Sequence, residues 1–297
     1  AAVSGSLRKQ RSGSQLRSPL SHPVVTPSVA GVVLTLNEAT DLPRALASLS
    51  WCQELLVLDS GSNDGTTALA ASLGAQVLVN KPVGEFLISE QRNWALTHGN
   101  LQSSWVLFLD ADEELSSAAT AAIKKALAKA ALSPAAPVGF ELTPRYWFLG
   151  RWLRHTQGYP NWHPRLLQRQ CLRFEGGVWE SFCSINGGPP GPVARIQEPY
   201  EHYAFSKGID SWLERHRRYA NWEAEKISAY LDGGGREALG TRRWRRLRQL
   251  AAIAWPLRPL ARFGQKYLLQ GGWREGWQGF LFALLMATYD LITVVKV

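Results

Sequence analysis

Residues 105–114 read WVLFLDADEE, an apolar run that ends abruptly in Asp110, Asp112, Glu113 and Glu114. A continuous apolar run of five residues is what a strand buried on both faces looks like, and it has counterparts upstream. GVVLTL (31–36), ELLVLD (54–59) and AQVLV (75–79) have the same character. Between them lie stretches that predict helices: DLPRALASL (41–49), 66–73, FLISEQRNWALTHG (86–99) and the Ala-rich 116–132. Buried strands alternating with helices imply βαβ units and a mostly parallel sheet covered on both faces, an α/β fold.

In such sheets ligands bind beyond the carboxyl ends of the strands. The polar residues gather at those ends: Asn37 and Glu38 after the first strand, Asp59 to Asp64 after the second, Asp110 to Glu114 after the fourth. Carboxylates crowded together repel unless a cation or water lies between them. Asp110 and Asp112, two positions apart, fall on one side of a strand and suit Mg²⁺ or Mn²⁺, which takes one or two carboxylates and keeps water and phosphate oxygens. Acids at a helix start, ahead of Ser116, are the plainer reading. Neither G-x-G-x-x-G nor G-x-x-x-x-G-K-[ST] follows the first strand, which removes the usual dinucleotide and P-loop signatures.

The chain has 297 residues, a net charge of +9 and only three cysteines, Cys52, Cys171 and Cys183, with no C-x-x-C pair. That argues against a disulfide framework or zinc ribbon and for a reducing compartment. The positive charge calls for an anionic partner. Residues 1–28, rich in Ser, Arg, Gln and Pro, read as a disordered tail without a signal-peptide core. Thirteen Trp, many in the second half, suit sugar sites and membrane boundaries as well as cores. After Pro144 the sequence turns irregular and aromatic, and from Ile209 helical and basic, with Arg242, Arg243, Arg245, Arg246 and Arg248 interleaved with Trp244 and Leu247. GFLFALLMATYDLITVVKV (279–297) is apolar but short for a bilayer span. Arg, Trp and Leu together describe a segment lying in an anionic membrane interface. Nucleic acid is disfavoured because no recognition motif accompanies the arginines.

LTLNEATDLPRALASL, VLDSGSNDGT, SEQRNWAL and LFLDADEEL, in this order and spacing, resemble the family 2 glycosyltransferases of GT-A fold. FLGRWLRHTQGYPNWHPRLLQR, RFEGGVWESF and EHYAF resemble the bacterial lipopolysaccharide core β-glucosyltransferase branch, with Trp179 where that branch usually has His. The resemblance implies a catalytic domain over 29–205 and a helical, membrane-associating extension over 206–297. It places Asn37, Glu38 and Asp59 near the nucleoside of a nucleotide-sugar donor, Gln91 and Arg92 near its phosphate or sugar, and Asp110 and Asp112 at a Mg²⁺ or Mn²⁺ ion and the diphosphate. His202 is a further metal-ligand candidate. Inverting transfer needs a base opposite the leaving group. Glu180, flanked by Gly176, Gly177 and aromatic residues, is the first candidate, with Glu113 and Glu114 in reserve. The expected reaction moves a hexose, glucose from UDP-glucose, to a lipopolysaccharide-core or other cell-envelope glycolipid, on the inner face of the cytoplasmic membrane. A sugar-nucleotide pyrophosphorylase and a non-catalytic adaptor that binds sugar-nucleotide or membrane are the alternatives.

Overall fold

The computed structural model describes residues 27–232 and 254–297, apart from 85, 134, 178 and 179. Trp179, the arginine cluster at 242–248 and residues 1–26 of the tail therefore lie outside the described residues.

The first half alternates as the sequence predicts: β1 (Val29–Thr35), α1 (Leu42–Ser48), β2 (Glu54–Asp59), α2 (Thr66–Ser72), β3 (Gln76–Val79), α3 (Ile88–His98) and β4 (Trp105–Asp110). A two-residue strand, β5 (Glu113–Glu114), precedes α4 (Ser117–Ala130). Ser116 starts α4 by accepting from Ala119 N at 3.0 Å, an N-cap that satisfies one of the free amides of the first turn. β1, β2 and β4 are buried on both faces, whereas β3, at the sheet edge, leaves Gln76 and Val79 exposed, against the buried strand that AQVLV predicts. One layer of core, including Val33, Leu42, Leu46, Val57, Leu107 and Ile123, lies on one side of the sheet. A second, including Val32, Leu56, Leu58, Phe108 and Phe174, lies on the other. Each such side chain contributes about 1.5–3 kcal/mol on burial.

The region after Pro144 is more regular than its composition suggests. It contributes β7 (Pro144–Phe148), β8 (Arg151–Trp152), β9 (His163–Gln168), the hairpin β10 (Leu172–Gly176) and β11 (Glu180–Ser184), β12 (Val193–Arg195) and β13 (Tyr200–His202), after β6 (Gly139–Leu142). The main sheet has seven strands in the order β12-β6-β9-β4-β1-β2-β3. β1 to β4 pair in parallel, while β9 enters antiparallel between β4 and β6. A second sheet, β5-β13-β7-β8, stands beyond the end of β4. β13 is its hinge to the site, pairing Glu201 with Glu114 and His202 with Glu113. The long helix α5 (Gly208–Leu231) follows, and after the undescribed segment come α6 (Arg258–Phe263) and α7 (Gly276–Lys296). Phe282 of α7 packs with Phe148 and Leu153, which ties the C-terminal helices to the second sheet.

Candidate active site

The loops after β1 and β2 are laced together. Asn37, in the left-handed region at φ 57°, turns the chain out of β1, a conformation that Asn tolerates better than most residues. Its N–H donates to Ser62 Oγ (2.7 Å) and its Oδ1 accepts from Asn63 N (2.9 Å). Glu38 N donates to Thr66 Oγ1 at 2.9 Å, and Ala39 N to Asp64 Oδ2 at 3.2 Å. Asp59 is buried and organises the same loop: it accepts from Thr35 Oγ1 (2.9 Å), Gly61 N (2.9 Å), Ser62 N (2.7 Å) and Ser62 Oγ. A nucleoside contact from Asp59 would have to exchange one of these bonds, whereas Asn37 is exposed at the rim. Glu38 pairs with Lys207, leaves Oε2 buried without a partner, and has its pKa pushed up to about 7, chiefly by burial.

At the end of β4 the carboxylates sit among buried arginines. Arg92, on α3, is 1% exposed. It donates through Nη1 to Glu180 Oε2 and through Nη2 to Asp110 Oδ1 at 3.1 Å. It also lies over the Phe174 ring, 5.3 Å from its centroid. Gln91 beside it is buried and bonded to Asn80, with Asn80 Nδ2 3.2 Å from its Oε1, so it braces the loop after β3. Arg165, on β9, reaches Glu113 Oε1 (2.5 Å), Asp110 Oδ2 (3.3 Å) and the Tyr200 hydroxyl (3.2 Å). Glu113 also accepts from Asp110 N at 2.9 Å, which folds the DADEE turn back on itself. Asp112 faces His202 Nε2 at 3.6 Å and Arg215 Nη1, from α5, at 3.7 Å.

Burial opposes charge on Asp110, but Arg165 and Arg92 outweigh it and hold the carboxyl well below the usual range. Burial likewise opposes charge on Asp112, and His202 followed by Arg215 overcomes it. Burial wins at Glu113, pushing its pKa up to about 7 against Arg165. It also raises Glu180 against the pull of Arg92. His202 is pushed up because Asp112 and Glu113 outweigh its burial.

Asp110, Asp112, Glu113, Glu180, Arg92 and His202 are thus brought together, while Glu114 turns away to Arg44, 3.5 Å from its Nε. Among the described residues no three His, Cys, Asp or Glu side chains form a closed metal cage. Two ionised carboxylates at one strand end nonetheless fit Mg²⁺ or Mn²⁺, which would complete its shell from water and phosphate oxygens. Arg165, Arg215 and Lys207 escape the motif reading. Arg165 in HPRLLQR carries no local signal, and Arg215 looks like any charged residue of a polar helix.

A sequence model described as Glycosyl transferase family 2 matches residues 32–183, just over half of the chain. The chain belongs to that family. An uncharacterized glycosyltransferase of Rickettsia bellii is 37% identical over 94 residues, 31% of this chain and 30% of that protein. The match therefore spans under a third of that relative's length. The lipopolysaccharide core biosynthesis glycosyltransferase LpsC of Rhizobium meliloti is 23% identical over 276 residues, 91% of each chain. Among solved structures, glucosyl-3-phosphoglycerate synthase from Mycobacterium tuberculosis in complex with Mn²⁺ and UDP-glucose matches at a TM-score of 0.40. That match is 15% identical over 59% of this chain and 71% of that one, too loose to carry an argument. In this family 2 member Asp110 and Asp112 lie at the end of β4, and Arg92 reaches Asp110 from within α3.

Proposed function

We propose that this family 2 member is a metal-dependent, inverting hexosyltransferase that moves glucose from UDP-glucose to a lipopolysaccharide-core or other cell-envelope glycolipid, at the cytoplasmic face of a membrane. The observation that carries this reading is the single guanidinium of Arg92 shared by Asp110 and Glu180. It sets a base candidate within one side chain's span of the carboxylate that would meet the diphosphate. The acceptor class follows LpsC, which the chain matches over nearly its whole length, and the glucosyl donor follows the branch that the RFEGGVWESF and EHYAF motifs resemble.

Asp110 and Asp112 would hold Mg²⁺ or Mn²⁺, and the ion when bound supplies positive charge to the departing diphosphate. The rest falls to the chain. Glu180 takes the proton of the acceptor hydroxyl as its oxygen bonds the anomeric carbon and the bond to the diphosphate breaks, the electron pair leaving with UDP. Burial raises the basicity that this requires, and the buried, unpartnered Oε1 is the atom free to accept. Arg92 fixes the carboxylate's orientation. Arg215 and Lys207, half-exposed on the rim, offer charge-assisted hydrogen bonds to phosphate oxygens. Asn37 and Glu38 lie at the nucleoside end. Incubation with UDP-glucose and a core-oligosaccharide acceptor, with the product anomer read by NMR, tests the proposal. A β-linked product is expected, and an α-linked product would rule out the inverting chemistry.

A further inference from the structure

The C-terminal helix α7 wears its polarity inside out. Its exposed large side chains, Trp277, Phe280, Leu284, Leu291 and Val295, recur at intervals of three, four, seven and four residues, which is one face of a helix. Its buried face carries Gly279, Ala283, Ala287, Asp290 and Thr293 together with Phe282. A helix on the surface of a soluble protein has the reverse arrangement. The apolar surface continues upstream through the exposed Leu257, Leu260, Leu268, Leu269 and Trp273.

We propose that this face is a docking surface for an anionic lipid bilayer, with α7 lying in the interface plane rather than crossing it. Residues 272–296 are long and apolar enough to span by length and composition. Their other face forbids it. α7 runs parallel to α5, with Phe282 and Trp212 both against Phe205, His216 beside Tyr289 at 5.5 Å between ring centroids, and Lys296 bonded to Asn221. α5 carries Glu214, Arg215, Arg217, Arg218, Glu223 and Glu225, which hydrocarbon would not accept. Asp290 is buried between Arg258 (3.0 Å) and Arg262 (2.7 Å), and Arg258 also reaches Glu223 of α5 at 3.1 Å, so the pairing is fixed by ions as well as by packing.

Charge selects the occupant. Residues 254–297 hold two acids, Glu275 and Asp290, both buried; Asp290 takes up Arg258 and Arg262, Lys266 donates to the Thr156 carbonyl, and Arg274 and Lys296 are the exposed cations. Exposed Trp273 and Trp277 sit where the apolar stripe begins, the residue type that favours the headgroup boundary. An apolar face with Arg274 and the Trp pair at its start and Lys296 at its end suits an anionic bilayer, whereas a second copy of the same face would bring like charges together. The surface lies outside the active site and stands or falls separately from the glucosyl-transfer reading.

Flotation of the full-length protein with phosphatidylglycerol and phosphatidylcholine vesicles is the test. Wild type is expected to float with phosphatidylglycerol vesicles, less so as salt rises, and to be released by alkaline carbonate. The L284E/L291E variant should partition at least about tenfold less, as expected for losing two half-buried leucines from the lipid. L257S/L260S, on separate short turns, gives the same reading if the first variant fails to fold by circular dichroism. Donor hydrolysis without vesicles, unchanged in either variant, shows that an effect on flotation is not a loss of the active site. Vesicle binding by a wild type that neither releases UDP from UDP-glucose nor binds UDP with Mn²⁺ would sink the transferase reading and leave this one standing. The docking proposal is overturned if wild type ignores the vesicles at low salt, if carbonate fails to extract it, or if the folded variants float as wild type does. It is equally overturned if lipid-free sedimentation shows a dimer that the variants dissolve.

Discussion

Arg165 Nη2 lies 2.5 Å from Glu113 Oε1, and both side chains are almost wholly buried. Fifty-two residues separate them, and the contact exists because β9 enters the sheet antiparallel beside β4. Its effect is to pin the DADEE turn, since Glu113 also holds Asp110 N and Arg165 also holds the Asp110 carboxylate.

Removing one partner of a buried pair leaves an uncompensated charge, which costs about 3–5 kcal/mol. Arg165→Met is therefore expected to destabilise the fold by that order in urea unfolding. The double variant R165M/E113Q should recover much of the loss, and a double variant no more stable than the single would show that the ion pair is not what holds the turn.

Glu180→Gln should lower kcat for glycosyl transfer by about 10²–10⁴-fold, the usual worth of a general base, while leaving donor binding intact. Because burial raises the Glu180 pKa, transfer by wild type should fall as pH drops through a value above the ordinary carboxylate range, where the base becomes protonated. Arg92 opposes that rise, so Arg92→Met should move the acid limb of kcat/KM to higher pH. A limb that stays put in both variants would assign the base elsewhere.

The parts of this site that the sequence exposes are those whose signal is local. A strand that ends in Asp59 or Asp110 announces both its burial and its ligand end within six residues, and β2 and β4 begin and end where the apolar runs do. β9 and β13 are invisible by that reading, because HPRLLQ and YEH owe their strand form to partners far off in sequence. Arg165, Arg215 and Lys207 come to the site only through those long-range pairings and through α5. Glu180 is legible as a carboxylate among glycines and aromatic residues, but its grip on Arg92 is a tertiary fact.

Glu38 makes a pH-dependent contribution to stability. Its folded pKa of about 7 is raised from 4.5 by burial, so between those values the folded state binds more proton than the unfolded state, and its contribution falls as pH rises through that window. Glu38→Gln should remove this fall, amounting to about 1–3 kcal/mol between about pH 5 and pH 8 in donor-free protein. Paired urea titrations of wild type and variant at the two pH values measure it, and equal slopes would contradict it.

Gly279 has no room for a side chain, since a Cβ there would meet the Gly272 carbonyl oxygen and the Glu275 side chain. Gly279→Ala should cost about 1–3 kcal/mol of overpacking strain and lower the thermal midpoint. An unchanged midpoint would mean that the turn before α7 is free to move.

The central claim is that Asp110 and Asp112 serve a metal and a nucleotide-sugar, and the most direct measurement is UDP release from UDP-glucose by the purified full-length protein, with Mn²⁺ and with chelator, for wild type and Asp112→Ala. Slow release that requires the metal and is lost in the variant is the predicted result. No release, together with no heat of UDP binding by calorimetry in the presence of Mn²⁺, would contradict the account.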